Sequence, residues 1–404
     1  MKPMGKPHIG EVDYLRVFGL ITIVLIHAWG FYLLMPVASP YSRIAQELGV
    51  NLLRFGRQIF MFITGLVLFY NYSGRKLNLN RFFSRRLKNL AIPYVIWTAF
   101  YLILKRSSGM LNWTGFGGFL TLWWQNVLNG NGYSHLYYIL VAIQFYLFFP
   151  WLVALFKPRR PGMTAEIIIG LGLVLYALYF YLFEVRQDLV GAAVAGTPLA
   201  GIAGWLFLYK DRLLFSYFPY YLLGALAGLH LDSWRRWLQD HLEVAVAFLV
   251  IAASLVISEY FYYYRRQGQP WALTISVFKP SIYLYSLAII TVFFQLSFYL
   301  ERRGFLRWLV SPLAANSLGI YLLHPAILFI FNSYFWNYVH LPGFLLAILE
   351  PAAAIVISGA ISTLLGSNRY TRFIVGEAGN LRNSFPWGKW REHRAVLHGV
   401  GRES

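Results

Sequence analysis

The first apolar segment of the chain carries two polar side chains whose types and spacing suit acid–base chemistry. Arg16 and His27 are separated by eleven positions. At about 100° per residue this spacing amounts to about three helical turns, so both side chains are expected on one helix face, about 16 Å apart along the axis. Imidazole is the side chain best suited to take a proton from a hydroxyl near neutral pH. The pair therefore indicates a cation at one end of an apolar helix and a candidate general base deep within it.

An ionisable residue inside an apolar segment has two interpretations. The structural one is a buried imidazole that hydrogen-bonds a neighbouring helix. The functional one is a cavity that a substrate enters, because an ionisable group near the middle of a bilayer is costly. We favour the functional interpretation for His27. Asp13, three residues before Arg16, is expected to pair with the guanidinium and to orient it.

Several other chemistries are excluded by the sequence. Cysteine is absent, which removes disulfides, thiolate metal sites and a cysteine nucleophile. The histidines are scattered, with no His-x-x-x-His or His-x-x-Glu pattern in an apolar run, so no metal site is expected. The chain also lacks a Gly-x-x-x-x-Gly-Lys-Ser/Thr phosphate loop and a Gly-x-Ser-x-Gly nucleophile elbow.

The composition indicates that lipid is the main solvent of the chain. Of the 404 residues 58% are hydrophobic and 13% charged, whereas soluble domains are about a quarter charged. Apolar runs of about 20 residues, the length that crosses a hydrocarbon core, recur from Tyr14 to Leu365. The excess of 35 Lys and Arg over 16 Asp and Glu lies between these runs and forms no continuous basic face. Nucleic acid is therefore not an expected partner.

The apolar runs predict an all-α, polytopic bundle of about ten transmembrane helices. The predicted spans are 14–35, 52–72, 90–105, 135–156, 164–184, 213–230, 242–262, 280–300, 314–337 and 343–365. The first run follows a charged start without a cleavage site, which predicts a retained helix and not a signal peptide. With both termini in the cytoplasm, 24 of the 35 Lys and Arg lie inside and 11 outside, as the positive-inside rule requires. A multi-pass protein of the cell membrane is expected.

Five segments carry motifs that together are specific, although each alone is degenerate. They are DYLRVFGLITIVLIHAW (13–29), IFMFITGLVLFY (59–70), NRFFSRRLKNLAIPY (80–94), SHLYYILVAIQFYLFFP (134–150) and SLGIYLLHPAIL (317–328). In this order they resemble the acyltransferase-3 family of membrane acyltransferases, whose first helix has Arg, ten residues and His. Thr64-Gly65 stands where Ser-Gly is commoner in that family. The resemblance covers about residues 11 to 365.

The resemblance implies a ten-helix protein that binds acetyl-CoA, or a longer acyl-CoA, from the cytoplasm. The acyl group would pass to a carbohydrate or glycolipid acceptor, often at the outer face, and no metal is implied. The roles of the family's Arg and His carry over to Arg16 and His27, with Asp13 orienting the arginine. His27 would deprotonate an acceptor hydroxyl for direct attack, or would itself accept the acyl group.

In this family the basic loop between the second and third helices is associated with the donor. Here it offers Arg81, Arg85, Arg86 and Lys88. Coenzyme A carries a pyrophosphate and a 3′-phosphate, and arginine matches phosphate oxygens with a bidentate fork. Arg81, Arg85 and Lys88 form one helical stripe if the third helix begins early. The alternative is that these cations only satisfy the positive-inside rule.

Three further residues are candidate acceptor-binding residues, namely His135, Tyr138 and His324. Each histidine is either a second acid, base or acceptor ligand, or a polar contact between helices, and the structural interpretation is favoured. Glu350 lies near an outer span end and is expected to be solvated.

Two long connections, 106–134 and 185–212, are rich in Gly, Trp and Leu and predict interfacial or re-entrant segments over an outer cavity. Their aromatic residues either anchor the interface, which is the simpler explanation, or stack against sugar rings. Residues 1–366 are predicted to form one acyltransferase-3-like membrane domain. Residues 367–404 are predicted to be a basic tail on the cytoplasmic leaflet.

An exporter or flippase of a polysaccharide or lipid-linked glycan is the alternative function, because some members of the family have been described that way. Such a protein should tolerate loss of the His27 imidazole better than loss of its cavity shape. A scaffold role is a third alternative, disfavoured by a deep histidine that shares a face with Arg16. Neither the acceptor nor the acyl length follows from the sequence.

Overall fold

The chain folds as an all-α bundle. A computed structural model describes residues 6–33, 40–75, 77–155, 165–266, 279–335 and 343–376. Within these ranges the chain forms helices and no strand, which confirms the predicted fold class. The α-helices are α1 (Glu11–Tyr32), α2 (Pro40–Leu53), α3 (Gly56–Tyr72), α4 (Leu79–Arg86), α5 (Lys88–Ser107), α6 (Gly115–Asn129), α7 (Tyr137–Leu155), α8 (Ala165–Phe180), α9 (Gln187–Val194), α10 (Leu199–Leu208), α11 (Phe218–Leu229), α12 (Leu231–Asp240), α13 (Leu242–Arg266), α14 (Pro280–Arg303), α15 (Arg307–Ala315), α16 (Ser317–Ile330) and α17 (Gly343–Ser367).

Most of the long helices can cross a membrane. Eight helical stretches in the described ranges are long and apolar enough, namely Glu11–Tyr32, Tyr41–Tyr72, Leu79–Ser107, Tyr137–Ala154, Leu242–Tyr264, Pro280–Arg303, Ser317–Phe335 and Leu345–Ser367. A ninth crossing results if α11 and α12, a bent pair, count as one. The chain is therefore an integral membrane protein with a polytopic helix bundle, as predicted.

Two predictions fall partly outside the described ranges. The predicted span 164–184 corresponds to α8, which continues as a π-helical turn at Tyr181–Val185. Its apolar part, Gly170–Phe183, is shorter than the other spans of the described chain, and residues 156–164 before it are not described. The expected number of about ten spans thus compares with eight or nine in the described chain. Of the predicted tail, only residues 367–376 are described.

Helix α1 lies in the interior of the bundle. It packs against α2, α3, α14, α15, α16 and α17. Leu15, Leu20 and Val24 on this helix are completely buried, and no residue of α1 is exposed. The polar side chains of α1 are therefore buried or half-buried against other parts of the bundle.

A buried ion pair holds the first turn of α1. Glu11 is 2% exposed, and Arg235 donates to its Oε1 from Nε at 2.7 Å and from Nη2 at 2.5 Å. Arg235 lies on α12, which bends by 102° from α11. Because α12 also carries Asp232 and Arg236, it cannot continue α11 into hydrocarbon. The bend explains why the predicted span 213–230 ends where it does.

Helices α3 and α11 touch through their backbones, without side chains between them. A Cβ atom added at Gly224 would overlap the carbonyl oxygen of Phe62, and one at Gly228 would overlap that of Leu66. On the facing helix, a Cβ atom at Gly65 would overlap the carbonyl oxygen of Tyr221. Small residues four positions apart allow membrane helices to approach this closely. The Thr64-Gly65 position of the sequence motif is thus part of the α3–α11 contact.

We predict that Gly224→Ala destabilises the protein by about 1–3 kcal/mol, because the added methyl group must push two backbones apart. The measurement is the midpoint of thermal unfolding in detergent. Gly170→Ala on α8 is the matched control, because a Cβ atom there meets nothing within 4 Å and alanine favours helix over glycine. Equal midpoints for the two variants would contradict the close helix contact.

Candidate active site

A cavity of about 570 Å³ lies near the end of the bundle where α1 begins, and we call it the basic-end cavity. Helices α1, α3, α4, α5, α7, α15 and α16 contribute to its wall. Its polar lining residues include Arg16, Thr64, Arg86, Tyr138, Tyr146 and Tyr321. The cavity has the size of a small-molecule site, and its cations suit a ligand with negative charge.

Arg16 is oriented by an acid in the preceding turn, as the sequence predicts. Its Nη1 lies 3.3 Å from Oδ1 of Asp13. The other carboxylate oxygen, Oδ2, lies 2.7 Å from Nε2 of His8, a residue that the sequence argument did not include. The hydrogen bond to Asp13 raises the pKa of His8 above its ordinary value, although partial burial acts in the opposite direction. One carboxylate therefore connects the exposed imidazole of His8 to the guanidinium of Arg16 in the cavity.

The predicted donor-binding cations separate into two groups. Arg86 is half-buried and lines the basic-end cavity, with its guanidinium carbon 5.9 Å from the ring centre of Tyr146. Arg81, Arg85 and Lys88 are exposed and are not among the residues that line the cavity. The third span does begin early, at Leu79, because the side chain of Asn78 caps α4 by accepting a hydrogen bond from the Arg81 amide at 3.0 Å.

His27 lines two cavities near the other end of α1. The small distal cavity, of about 190 Å³, is lined by Ile23, Ile26, His27, Arg54, Arg57, Ser134, His135, Tyr137 and Tyr321. The large distal cavity, of about 470 Å³, has His27, Arg54, Lys105 and Tyr133 among its lining residues. The imidazole is half-buried, so a molecule in either cavity reaches it.

Three histidines from distant parts of the sequence meet in this region. The ring centres of His27 and His324 are 5.3 Å apart, those of His135 and His324 are 5.6 Å apart, and those of His27 and His135 are 6.2 Å apart. His135 and His324 are buried, at 3% and 0% exposure. In the described part of the chain no group of three His, Asp, Glu or Cys side chains has a geometry that would hold a metal ion.

The two inner histidines leave ring nitrogens without partners. Nδ1 of His324 lies 3.1 Å from the carbonyl oxygen of Ile320, so this nitrogen carries the proton. Its Nε2 and both ring nitrogens of His135 are buried and have no hydrogen-bond partner among the described residues. A buried polar atom without a partner is costly unless a ligand or water meets it. The interpretation of these histidines as plain interhelical contacts is therefore not favoured by the structure.

Tyr321 separates the two ends of the site. It lines both the basic-end cavity and the small distal cavity. Its hydroxyl donates to the carbonyl oxygen of His135, and its ring centre lies 5.8 Å from that of Tyr138. Tyr138 lies on the basic-end side with Arg16, whereas His135 lies on the distal side with His27. Arg16 and His27 thus line different cavities, which adjoin at one tyrosine.

Glu350 was expected to be solvated, but it is completely buried, so this expectation was wrong. Its carboxylate accepts hydrogen bonds from the Tyr32 hydroxyl and the Asn332 amide.

Arg54 and Arg57 were not selected from the sequence, yet both line the small distal cavity. A sequence signal could have identified both residues. They are two arginines within one apolar run, at the end of the span where the positive-inside rule disfavours cations.

Comparison with known proteins yields one match. No curated protein and no solved structure matches the chain. A family model described as an acyltransferase domain, that of the acyltransferase-3 family, matches residues 9–367. This match covers both ends of the site, from Arg16 to His324, and it confirms the resemblance drawn from the motifs. The chain therefore belongs to the acyltransferase-3 family of membrane acyltransferases.

Proposed function

We propose that the protein transfers an acyl group, expected to be acetyl, from cytoplasmic acyl-CoA to a hydroxyl of a carbohydrate or glycolipid acceptor. Membership of an acyltransferase family supports the reaction class. The observation that carries the proposal is the pair of cavities that adjoin at Tyr321, one with cations and one with His27. Donor and acceptor can then approach one reaction centre from opposite ends of the bundle.

The basic-end cavity is the proposed site of the donor. Arg16 and Arg86 both line it, and two guanidiniums suit a ligand with more than one phosphate. The exposed Arg81, Arg85 and Lys88 would raise the local concentration of an anionic donor instead of contacting it. From this cavity an extended pantetheine arm runs along α1, where about 16 Å of helix separates Arg16 from His27.

Transfer requires a base beside the acceptor hydroxyl. In the direct route His27 takes the hydroxyl proton, the oxygen attacks the thioester carbonyl, the carbon–sulfur bond breaks, and the imidazolium returns the proton to the CoA thiolate. In the covalent route the imidazole nitrogen attacks the thioester carbonyl, the carbon–sulfur bond breaks, and the CoA thiolate leaves with the proton of the imidazole ring. The acceptor oxygen then attacks the acyl-imidazole, the carbon–nitrogen bond breaks, and the released imidazole takes the hydroxyl proton. Trapping and mass analysis of an acyl-histidine during turnover distinguishes the two routes.

The proposed orientation puts the basic end and both termini in the cytoplasm of the cell, in line with the distribution of Lys and Arg. The distal cavities then face outward, where a cell-envelope glycan is available. His135 is proposed to contact the acceptor beside His27, because it lines the small distal cavity and its ring nitrogens have no partner among the described residues. His324 is completely buried and lines neither distal cavity, so it is proposed to act on the acceptor through the neighbouring rings of His27 and His135. Tyr138 is proposed to contact the donor instead, since it lines the basic-end cavity.

We predict that His27→Ala lowers the rate of acyl transfer by about 100-fold or more, the contribution typical of a general base. The assay measures transfer from radiolabelled acetyl-CoA to membrane glycan extract, together with release of the CoA thiol. Because the chain has no cysteine, a thiol reagent detects only the product. The amount of variant protein in the membrane is matched to that of the original chain.

His241→Ala is the matched control, because this imidazole is exposed and lines none of the three cavities. Full activity of His27→Ala would contradict the proposed role. Movement of a glycan across the membrane without any acyl label on it would support the exporter alternative.

We also predict that Arg86→Ala weakens CoA binding by about tenfold or more, whereas the neighbouring Arg85→Ala changes it by less than about threefold. The difference arises because a hydrogen bond to a charged group contributes about 1.5–3 kcal/mol to stability. A charge on an exposed side chain contributes little. Isothermal titration with CoA gives both dissociation constants. Equal effects of the two substitutions would remove Arg86 from the donor site.

A further inference from the structure

The distal cavities contain an unusual concentration of positive charge. Arg54 lines both of them, Arg57 lines the small one, and Lys105 lines the large one. No Asp or Glu is among the residues that line either cavity. These cations therefore surround the space next to His27 without an acid to neutralise them.

Arg54 and Arg57 differ from several other half-buried cations of the described chain. Four of those are paired with acids, namely Arg16 with Asp13, Arg212 with Asp211, Arg235 with Glu11 and Lys279 with Glu259. Neither Arg54 nor Arg57 forms an ion pair within 4 Å among the described residues. Nε of Arg54 is buried and has no hydrogen-bond partner there.

The contacts of Arg57 are weak. Its Nη1 lies 3.5 Å from the Tyr217 hydroxyl, and its guanidinium carbon lies 5.5 Å from the ring centre of Tyr137. The Tyr217 hydroxyl in turn donates to the carbonyl oxygen of Asp211 at 3.0 Å. These weak contacts leave most of the N–H donors of the guanidinium available to a ligand.

An unpaired cation within a membrane protein is costly and is kept where it serves a function. A guanidinium presents parallel N–H donors that match the two oxygens of a carboxylate or phosphate. Two guanidiniums facing one cavity of about 190 Å³ provide a place for one such group, and the adjoining large cavity has room for the ring that carries it.

We propose that Arg54 and Arg57 form an anion-binding site for the acyl acceptor, so that the acceptor carries a carboxylate or phosphate close to the hydroxyl that is acylated. This inference rests on the proposed function, because the acceptor is assigned to the cavities that His27 lines. It narrows the acceptor from carbohydrates in general to acidic sugars and sugar phosphates. The two arginines hold the acidic group and thereby direct a neighbouring hydroxyl to His27.

The test measures ligand binding and needs no turnover. Purified protein is saturated with CoA, which occupies the donor site, and is then titrated with glucuronate, glucose 1-phosphate or neutral glucose while thermal unfolding is followed. We expect the two acidic sugars to raise the unfolding midpoint, each with a millimolar dissociation constant, and glucose to leave it unchanged. The two acidic probes distinguish a carboxylate from a phosphate as the preferred group.

Arg54→Gln and Arg57→Gln should each weaken binding of the acidic sugar by about tenfold or more. Arg106→Gln is the matched control, because it removes the same charge from the end of α5 next to Lys105 but from an exposed side chain. Arg57→Lys keeps the charge, loses the bidentate geometry and should bind with intermediate affinity. Neither arginine forms an ion pair with an acid among the described residues. Both Gln variants should therefore fold with an unfolding midpoint no lower than that of the original chain.

Equal binding of glucose and the acidic sugars would overturn the proposal. So would a loss of binding in Arg106→Gln as large as in Arg54→Gln. If acidic sugars bind as expected but no acyl transfer is detected, the anion site stands and the acyltransferase assignment of the cavities fails. If transfer occurs and the acidic sugars do not bind, the enzyme assignment stands and the anion site fails.

Discussion

The cost of removing an ionisable group from water governs where the functional side chains of this protein lie. Helix α1 has no exposed residue, so each of its polar groups needs a partner or a cavity. Glu11 has Arg235, Arg16 has Asp13 and the basic-end cavity, and His27 has the distal cavities. Arg54 has no acidic partner among the described residues. By the same constraint, this guanidinium needs the distal cavities that it lines.

The fold was predictable because membrane helices follow from local composition. Runs of apolar residues gave the spans, and charged residues such as Asp232 and Arg235 gave their ends. The prediction that Arg16 lies at one end of a helix and His27 deep within it also needed only helical geometry. Asp13 beside Arg16 is a contact within one turn, and such contacts are determined by spacing along the chain.

The rest of the site depends on how distant helices cross, which local patterns do not encode. The approach of His135 and His324 to His27, and the place of Tyr321 between the cavities, involve α1, α7 and α16 and the segment just before α7. Glu350 looked like a residue at a span end, but its partners Tyr32 and Asn332 come from other helices. Arg86 lines the cavity whereas Arg81, Arg85 and Lys88 are exposed, and this division likewise depends on how α4 packs against α7.

The close contact between α3 and α11 also limits how the protein can move. Glycines at positions 65, 224 and 228 let the two backbones touch, and helices that interlock in this way cannot slide or rock past each other without steric overlap. Alternating access by rocking of the α3–α11 pair is therefore disfavoured. Tyr321 lies between the two cavities, so a rotamer change of its ring would connect them without any movement of this helix pair.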